Sequence, residues 1–443
     1  MNAAQALETA AGFLKKSRVQ QWELFLVASE QSGVELYKRV VKSQELTTTQ
    51  RLYLRVFSLQ RPGYAYTENF SKESIHDMVE SALANSELAD KLALKLAEPQ
   101  TAISAELELY DPSLEQLEFK TMIEFCREME DLSYGLDQRI INVPYLYCAK
   151  SKDEVFFQNS LGHAYNYVRG AVYGGLGVLA AEEKSRKLGY YSTGARRFEF
   201  DASQIVQEAG RRALGLLGAR SIPSGKYPVL LRSHVAQELL ALYASVFFAD
   251  MVQKGKSRLK GKLGENIASP LFSLYSDPHL PGEPGSLPFD GEGVATQRIA
   301  VVEKGVLLSF LYHLESAMKE NVSPTGNATR GANGRIATTF MNFVVPLGPH
   351  SLSELQQAYP RLVQIEKLEG SASCSAVSGE ISIGAQGFLL ENGQIMHPVD
   401  QITLSGNFFD VLYAIEGISQ HYDNSFSSFK VPDLLINGFF LAA

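Results

Sequence analysis

The sequence has few of the residues from which metal sites and nucleophile sites are usually built. Its 443 residues include eight histidines and three cysteines, Cys126, Cys148 and Cys374. The cysteines are far apart and form no CxxC or Cys/His pattern, which excludes a disulfide framework and a closed zinc site of the usual spacing. We therefore expect each cysteine to be a small buried apolar residue.

An excess of positive charge is also missing. The chain has 41 Lys and Arg residues against 49 Asp and Glu residues, for a formal net charge of -8. Because affinity for nucleic acids depends mostly on Lys and Arg contacts with phosphates, we expect no nucleic-acid partner. No apolar run reaches the roughly 18 residues of a membrane span, and the first lysines follow the apolar residues, unlike those of a signal peptide. We expect no membrane partner and a cytoplasmic location.

Apolar residues are nevertheless plentiful enough for substantial cores. The hydrophobic fraction is 45%, and the chain exceeds the roughly 250–300 residues at which one core usually stops growing. Residues 218–227 (GARSIPSGKY) have the composition of a linker. We predict an α+β fold with an N-terminal α+β domain at 1–217, this linker, and a mainly β, barrel-like C-terminal domain at 228–443.

Alternation of apolar and polar residues predicts strands in the N-terminal domain. The predicted strands are Trp22–Ala28, Val34–Lys42, Gln50–Leu59 and, after a turn at 61–63, Tyr64–Thr67. The third strand should have one buried face and one wet face, and the wet face carries Arg51, Tyr53 and Arg55. Helices are predicted near Ser71, near Asp111 and over Ala202–Leu217. The glycines at 170, 174, 175 and 177 fit no nucleotide-loop spacing and are assigned to turns and close strand packing.

One helix of the C-terminal domain is predicted to be buried. After a short strand at Pro228–Arg232, residues Val235–Val252 are apolar nearly all the way round a helix. His234 and Glu238 stand one turn apart, but a single pair cannot close a catalytic metal site, and a cap or surface pair is favoured. His397 is interpreted as a structural turn histidine. Neither HExxH nor GxSxG occurs in the sequence.

Polar residues cluster with glycines in the C-terminal domain. The clusters contain Asp290, Glu292 and Gly293, then Asn327 and Arg330, and then Ser378 and Gly379. Taken singly, such clusters are typical of turns, because Gly, Asn, Asp and Ser are the residues that turns favour. Their order along the chain is more specific than any one of them.

Six ordered segments make the C-terminal half similar to the TldD/TldE (PmbA) family, historically named as modulators of DNA gyrase. The segments are GKSRLKGKLGENIAS at Gly255–Ser269, FDGEGVATQR at Phe289–Arg298, EKGVLLSFLYHLESA at Glu303–Ala317, TGNATR at Thr325–Arg330, SGEISIGAQGFLLENGQIMHPV at Ser378–Val399 and ITLSGN at Ile402–Asn407. The N-terminal half has a compatible plan of helices and strands. The chain is identified by this resemblance as a member of the family.

The resemblance implies a dimeric metallopeptidase that cuts unfolded or modified peptides. In the TldD-type subunit, a HExxxH helix and a cysteine near the C-terminus hold the metal. Counting back from Gly255, the corresponding window here reads Leu240, Ala241, Leu242, Tyr243, Ala244 and Ser245. The segment Asn424–Lys430 has no cysteine either. These side chains cannot replace an imidazole, a thiolate or a general base.

The resemblance therefore places this chain with the non-catalytic TldE/PmbA type. We expect no catalytic residue and no metal in this chain, zinc or iron in a TldD-type partner, and an unfolded peptide as the substrate of the complex. An extended peptide is expected to pair with a strand edge of the β domain. The loops expected to shape a peptide chamber or a dimer contact contain Asp290, Glu292, Gly293, Asn327, Arg330, Ser378 and Gly379.

Two alternatives stay open from the sequence. In one, the chain acts without a TldD-type partner, as a homodimeric peptide-binding or regulatory protein of the gyrase-modulator type. In the other, it is a peptidase with an unconventional site at His234 and Glu238 or at His397. Whether this chain is itself an enzyme is therefore left undecided at this stage.

Overall fold

The computed structural model describes residues 1–17, 19–101, 106–423 and 426–442. The helices are α1 (Ala3–Lys16), α2 (Lys72–Glu87), α3 (Phe119–Leu136), α4 (Ala202–Leu214), α5 (Ser233–Tyr243), α6 (Ala249–Gln253), α7 (Leu314–Glu320), α8 (Leu352–Gln357) and α9 (Phe408–Tyr413), with short 3-10 helices at Pro112–Gln116 and Ala244–Phe247. The strands are β1 (Gln21–Tyr37), β2 (Val40–Ser58), β3 (Arg61–Thr67), β4 (Ile140–Asn159), β5 (Ala164–Glu182), β6 (Ser185–Ala195), β7 (Gly225–Leu231), β8 (Leu274–Ser276), β9 (Ile299–Glu303), β10 (Val306–Leu307), β11 (Ala328–Arg330), β12 (Ile336–Thr338), β13 (Phe343–Val344), β14 (Arg361–Glu369), β15 (Glu380–Glu391), β16 (Gln394–Asn407), β17 (Ile415–Tyr422), β18 (Phe429–Lys430) and β19 (Pro432–Ala442). This mixture of helices and strands confirms the predicted α+β class.

The N-terminal half is built on one six-stranded antiparallel sheet in the order β3-β2-β1-β4-β5-β6. Even-numbered side chains of β1 and β2, such as Leu24 and Leu54, pack against α1 and α2. Even-numbered side chains of β4 and β5, such as Cys148 and Val172, pack against α3 and α4. Because side chains alternate between the faces of a strand, these four helices cover one face, and the odd-numbered face is left for other contacts.

The predicted strand Trp22–Ala28 and the first four residues of the predicted strand Val34–Lys42 form one continuous strand, β1, whereas the rest of the second prediction covers a hairpin turn and the start of β2. β1 runs through the polar stretch between them because every residue of that stretch pairs with both β2 and β4. Gly33 lies in this stretch, where a Cβ atom would come within 3.0 Å of the Ala149 Cβ atom. The polar residues therefore belong to the sheet and do not form a loop.

Two hairpin turns of this sheet are made by residues other than glycine. Lys38 and Arg39 connect β1 to β2, and Leu59 and Gln60 connect β2 to β3, all four with φ between 50° and 64°. Pairs of residues with positive φ close two-residue hairpins whose twist matches that of the strands. The predicted turn at 61–63 is therefore wrong, since these residues begin β3, and β2 begins well before the predicted strand.

Helix boundaries also differ in two places. Ser71 caps α2 as predicted, because its side chain accepts the Ser74 N–H. Asp111 instead caps a 3-10 helix, and α3 begins only after that helix has ended. The helix predicted to end at Leu217 ends three residues earlier as α4, and the chain then turns through Gly218, with φ 68°.

Five strands of the C-terminal half close into a barrel. Their order is β16-β15-β14-β7-β19, and β19 pairs back to β16, with Leu441 opposite Leu404. β7 runs parallel to β14 and antiparallel to β19. α5 packs against β14 and β19. This agrees with the predicted mainly β, barrel-like C-terminal region. The same region also contains a five-stranded sheet (β10-β9-β8-β13-β18) and the β11–β12 hairpin.

The buried helix predicted over Val235–Val252 is interrupted. α5 ends at Tyr243, a 3-10 turn follows, and α6 starts at Ala249. The interruption has a tertiary cause: Phe248 is extended and forms a bridge with Leu311, whose carbonyl accepts the Ala249 N–H. Within the described ranges, no helix is both long and apolar enough to cross a membrane.

Close backbone contact between β14 and β15 generates a first prediction. A Cβ atom on Gly387 would lie 1.9 Å from the Gln364 carbonyl oxygen, so Gly387→Ala should push apart two strands of the barrel and lower the free energy of unfolding by a few kcal/mol. Gly12→Ala is the matched control, because a Cβ atom there meets nothing within 4 Å. It should raise the stability slightly, since alanine is more favourable than glycine in a helix interior by roughly 0.5–1 kcal/mol. Urea unfolding of both variants measures the effect. Equal stability of the two variants would contradict the predicted strand clash.

Candidate functional site

The window Leu240–Ser245, which the resemblance aligns with the metal-binding motif of a TldD-type chain, lies at the end of α5. Leu240 and Tyr243 are buried there. The Tyr243 hydroxyl donates to the Glu380 carbonyl oxygen at 2.5 Å, and its ring stacks on Phe408 with centroids 4.5 Å apart. Cys374, which was predicted to be buried, is only half-buried because it lies in the loop before β15. The window is thus part of a packed core.

The surroundings of this window are aromatic. α5 contacts β18, and Phe429 of that strand stacks on Phe343 with centroids 4.9 Å apart. Asn424 and Ser425, from the segment compared with the family's cysteine, lie outside the described residues. Across the part of the chain that the structure describes, no group of three or more His, Cys, Asp and Glu side chains could hold a metal ion. The residues of the window do not fit zinc or iron, which require imidazole, thiolate or carboxylate donors.

The histidines considered for an unconventional site have structural partners. His234 Nε2 is 2.8 Å from the Glu366 carbonyl oxygen, and its Nδ1 is 3.5 Å from an Asp423 carboxylate oxygen. Glu238 is exposed. His397 Nδ1 is 2.9 Å from the Pro398 carbonyl oxygen. The prediction of a turn for His397 was wrong, because this residue lies inside β16 and pairs with β15.

A buried cluster of charged side chains joins the two halves of the chain. The Arg55 guanidinium, which is 2% exposed, donates to Glu23 at 2.8 Å and to Glu292 at 2.7 Å. Glu23 also pairs with Arg330, whose Nε donates to the Gly291 carbonyl oxygen at 2.7 Å. Arg55 and Glu23 belong to β2 and β1, whereas Glu292 and Arg330 belong to the C-terminal half. We call these four side chains the charge cluster.

Asp290 organises the loop that brings Glu292 into the charge cluster. One of its carboxylate oxygens accepts the N–H groups of Glu292 at 2.8 Å and Val294 at 3.0 Å, and the other accepts that of Ala328 at 2.9 Å. Burial and the Glu292 carboxylate raise the pKa of Asp290 to about 7, although the three N–H groups lower it. Asp290 therefore links two loops of the C-terminal half.

Gly293 lies in the loop of Asp290, and Asn327 directly precedes β11, the other segment that Asp290 binds. Gly293 has φ 82°, which favours glycine, and a Cβ atom there would come 2.7 Å from the Phe157 ring. Its carbonyl oxygen lies 2.8 Å from His163 Nε2. The Asn327 amide donates to the Ser276 hydroxyl at 2.9 Å. The structure thus brings together five of the seven predicted loop residues, Asp290, Glu292, Gly293, Asn327 and Arg330, at the junction of the two halves.

Ser378 and Gly379 lie in a separate turn. The Ser378 carbonyl oxygen accepts from the Asn407 amide at 3.0 Å, and the Gly379 carbonyl oxygen accepts the Phe408 N–H at 2.6 Å. Gly379 has φ 75°, and a Cβ atom there would come 2.7 Å from the Phe409 ring. This turn precedes Glu380, the acceptor of the Tyr243 hydroxyl, so it borders the α5 window and not the charge cluster.

Glu23 and Arg55 were not predicted from the sequence to be site residues. Alternation in β2 separated its two faces correctly, but the prediction that Tyr53 and Arg55 are wet was wrong, since they are 8% and 2% exposed. The reason is tertiary: the loop carrying Asp290 and the β11–β12 hairpin cover this end of the odd-numbered face. Glu23 lies directly opposite Arg55 in the pairing of β1 with β2. A prediction of the strand register would have revealed this pair of opposite charges.

The closed barrel and the covered six-stranded sheet define an α+β scaffold, and its window Leu240–Ser245 contains no histidine, cysteine or carboxylate. Three family models match the chain: PmbA/TldA metallopeptidase domain 1 at residues 22–86, the central domain at 112–217 and the C-terminal domain at 224–443. Because these matches span most of the sequence, the chain belongs to the PmbA/TldD family.

Individual relatives agree with this assignment. The chain is 26% identical over 394 residues to the Metalloprotease PmbA homolog of Haemophilus influenzae, covering 86% of this chain and 84% of that protein. A crystal structure from Thermotoga maritima, described as a candidate modulator of a DNA gyrase, is 28% identical, covers 100% of both chains and has a TM-score of 0.88. TldE from Thermococcus kodakarensis, at 20% identity, 99% and 100% coverage and a TM-score of 0.88, shows the same fold.

Removal of Arg55 tests the energetic weight of the charge cluster. Arg55→Met should lower the free energy of unfolding by about 3–5 kcal/mol, because it leaves Glu292 buried without a charged partner and leaves Glu23 with Arg330 alone. The control Arg39→Met removes an exposed pair with Asp131, which should cost less than about 1 kcal/mol. Urea unfolding followed by circular dichroism measures both, and similar small losses would show that the charge cluster does not hold the halves together.

The raised pKa of Asp290 predicts a pH dependence of stability. In the folded state the Asp290 carboxyl keeps its proton up to about pH 7, whereas an unfolded Asp loses its proton near pH 4. The protonated carboxyl therefore stabilises the fold fully below about pH 4. This stabilisation is lost as the pH rises to about 7. We expect the free energy of unfolding to fall more steeply between about pH 5 and pH 8 in the wild type than in Asp290→Asn. If the free energy of unfolding has the same pH dependence in both proteins, the raised pKa of Asp290 is contradicted, even when the variant is less stable at every pH.

Proposed function

We propose that this chain is the non-catalytic, TldE/PmbA-type subunit of a TldD/TldE-type metallopeptidase complex that degrades or matures unfolded or modified peptides. One observation carries the proposal. In the window Leu240–Ser245, which the resemblance aligns with the metal-binding motif of a TldD-type chain, Leu240, Tyr243 and Ala244 pack into the core of the C-terminal half. A helix built in this way supports the fold and supplies neither a ligand nor a general base.

The metal belongs to the partner in this proposal. Zinc or iron would be held by the HExxxH helix of a TldD-type subunit, and the present chain would complete the peptide chamber in a heterodimer. Family relatives of both kinds are named metalloproteases, and the donors that such a metal needs are not at the α5 window of this chain. We also propose the sequence-based domain division, 1–217, 218–227 and 228–443, with the last domain beginning earlier, at β7 (Gly225–Leu231), and a cytoplasmic location for this subunit.

The predicted loops divide into two roles. Most hydrogen-bonding groups of Asp290, Glu292, Gly293, Asn327 and Arg330 are engaged by the chain itself, so we assign these residues chiefly to holding one wall of the chamber in shape. The exposed turn at Ser378 is the better candidate for a contact with a partner or a substrate. For pairing with an extended peptide, β18 offers a strand at the end of its sheet, next to the α5 window.

A second candidate function is a homodimeric regulatory or peptide-binding protein without a TldD-type partner. The observation in its favour is the similarity to the Thermotoga maritima protein described as a candidate modulator of a DNA gyrase. An autonomous peptidase is disfavoured, because both nitrogens of His234 face groups of the chain and Glu238 has no second ligand beside it.

Reconstitution tests the proposed function. The purified chain and a TldD-type partner are mixed with an unfolded peptide, and cleavage is followed by mass spectrometry. We expect cleavage only when both chains are present, copurification of the two chains, and stoichiometric metal in the partner alone. Cleavage by the partner without this chain, or stoichiometric zinc or iron in this chain, would contradict the proposal.

A window variant provides the matched control for this experiment. Ser245→Ala removes the one aliphatic hydroxyl of the window and should leave cleavage by the complex unchanged, because that hydroxyl is not a ligand. Replacing the glutamate of the partner's HExxxH motif by glutamine should abolish cleavage. A loss of cleavage in Ser245→Ala, with folding and copurification intact, would show that the window takes part in the chemistry.

A further inference from the structure

A small cavity lies where the odd-numbered face of the N-terminal sheet meets the C-terminal loops. Its volume is about 150 Å³, and it is bounded on one side by the loop that carries Asp290. Since a water molecule in the liquid occupies roughly 30 Å³, the cavity has room for a small group such as a carboxylate together with part of a side chain. None of the loop or window roles described above accounts for this cavity.

Two side chains of β5 present unused hydrogen-bond donors to the cavity. Arg169 donates to Asp153 through Nε at 2.9 Å, and its two terminal nitrogens have no partner within the described ranges. The Tyr167 hydroxyl has no partner there either, and burial raises its pKa to about 12, so it is a neutral donor near pH 7. Arg330 also lines the cavity, and its Nη1 atom is buried without a partner.

The carboxylates nearby are already bound by the chain. Asp290 accepts three backbone N–H groups, and Asp153 accepts from Arg169 and from the Ser29 hydroxyl at 2.7 Å. The hydrogen-bonding capacity that remains on the wall is therefore mostly donor capacity. Donors on two guanidinium groups and a phenol suit an anionic acceptor, and a carboxylate matches the planar guanidinium of arginine.

The rest of the wall is apolar. The apolar side chains around the cavity are Phe25, Val27, Val155, Leu287 and Phe289. An apolar wall next to charged donors suits a carboxylate that is attached to an apolar side chain, as at the last residue of a peptide. An inorganic anion would leave this apolar surface without a contact.

The same sheet face offers a path for the residues that precede such a terminus. Arg169 is opposite Asp153, and the next row of odd-numbered residues contains Ser151 and Gln31. This row and those beyond it line an open depression of about 380 Å³. Rows on one face are spaced by two residues, about 6.6 Å, which is also the repeat of an extended peptide. Gly33, Ala149 and Ser151 are small residues in this depression and leave space for one.

We infer that this cavity binds the terminal carboxylate of an extended peptide, with Arg169 and Tyr167 as the donors. The inference rests on the proposed function and deepens it, because it assigns the metal-free subunit a grip on the C-terminal end of the substrate. Arg330 contributes positive charge and remains part of the charge cluster. Asp153 is a positioning residue that holds Arg169 through Nε. Free carboxylates and phosphate share the same chemistry, and the experiment separates them.

The test compares two forms of one short peptide on the full-length chain. The peptide ends in Ala-Leu, carries a fluorescent label at its N-terminus, and is made with a free C-terminal carboxylate or with a C-terminal amide. Fluorescence anisotropy gives the Kd of each form. We expect the acid form to bind at least about tenfold more tightly, since charge-assisted bonds to arginine are made only by the carboxylate.

Variants locate the binding. Arg169→Gln should abolish the difference between acid and amide, and Tyr167→Phe should reduce it while keeping the ring in place. Arg139→Gln is the control, because this residue pairs with Asp137 and Glu182 and does not line the cavity. Unchanged thermal midpoints show that each variant is folded, and Tyr167→Phe keeps the test decisive if Arg169→Gln fails to fold.

The remaining outcomes overturn the inference. Equal Kd values for acid and amide would leave peptide binding intact but remove the carboxylate site. Binding of neither form would also overturn it, while the proposed function would still be judged by cleavage with the TldD-type partner. Competition by acetate or inorganic phosphate as effective as that of the unlabelled peptide would assign the cavity to a small anion instead of a peptide terminus.

Discussion

The contact between Arg55 and its two glutamates is the interaction on which the arrangement of the chain depends. Glu23 and Arg55 are fixed by the pairing of β1 with β2, and Glu292 reaches them only because Asp290 binds the backbone of its own loop and of β11. A buried pair of this kind is costly to break, since each remaining charge would be left without water or a partner. The charge cluster therefore selects one position of the C-terminal loops on the sheet.

The sequence predicted the local structure better than the tertiary contacts. Alternation separated the faces of β2, and the cap at Ser71 was located correctly, because both depend on neighbours along the chain. The burial of Arg55 depends on which distant loop covers its face, and the interruption of the central helix depends on a bridge from Phe248 to Leu311. Neither cause can be predicted from a short segment of the sequence, because each contact joins residues that are far apart along the chain. The α5 window could be located because the resemblance fixed its spacing from Gly255.

The α5 window shows how the end of a helix fills the space beside a barrel. Tyr243 does so by stacking on Phe408 and by donating its hydroxyl to the Glu380 carbonyl oxygen. Because this hydroxyl has a hydrogen-bond partner, a large polar side chain is buried here without an unpaired group. The window therefore contributes to the packing of the barrel.

The closure of the barrel has a consequence for the order of events during synthesis. β7 finds its two neighbours far along the chain, in β14 and β19, so the barrel has many contacts between distant residues and is expected to form late. The N-terminal sheet, whose contacts are largely between consecutive strands, is expected to form before the Asp290 loop and Arg330 have been synthesised. A sheet that forms first exposes its odd-numbered face to water during that interval, with Glu23 and Arg55 as a charged pair beside the apolar Phe25. The loops that arrive later enclose the same two charges in the interior of the finished protein.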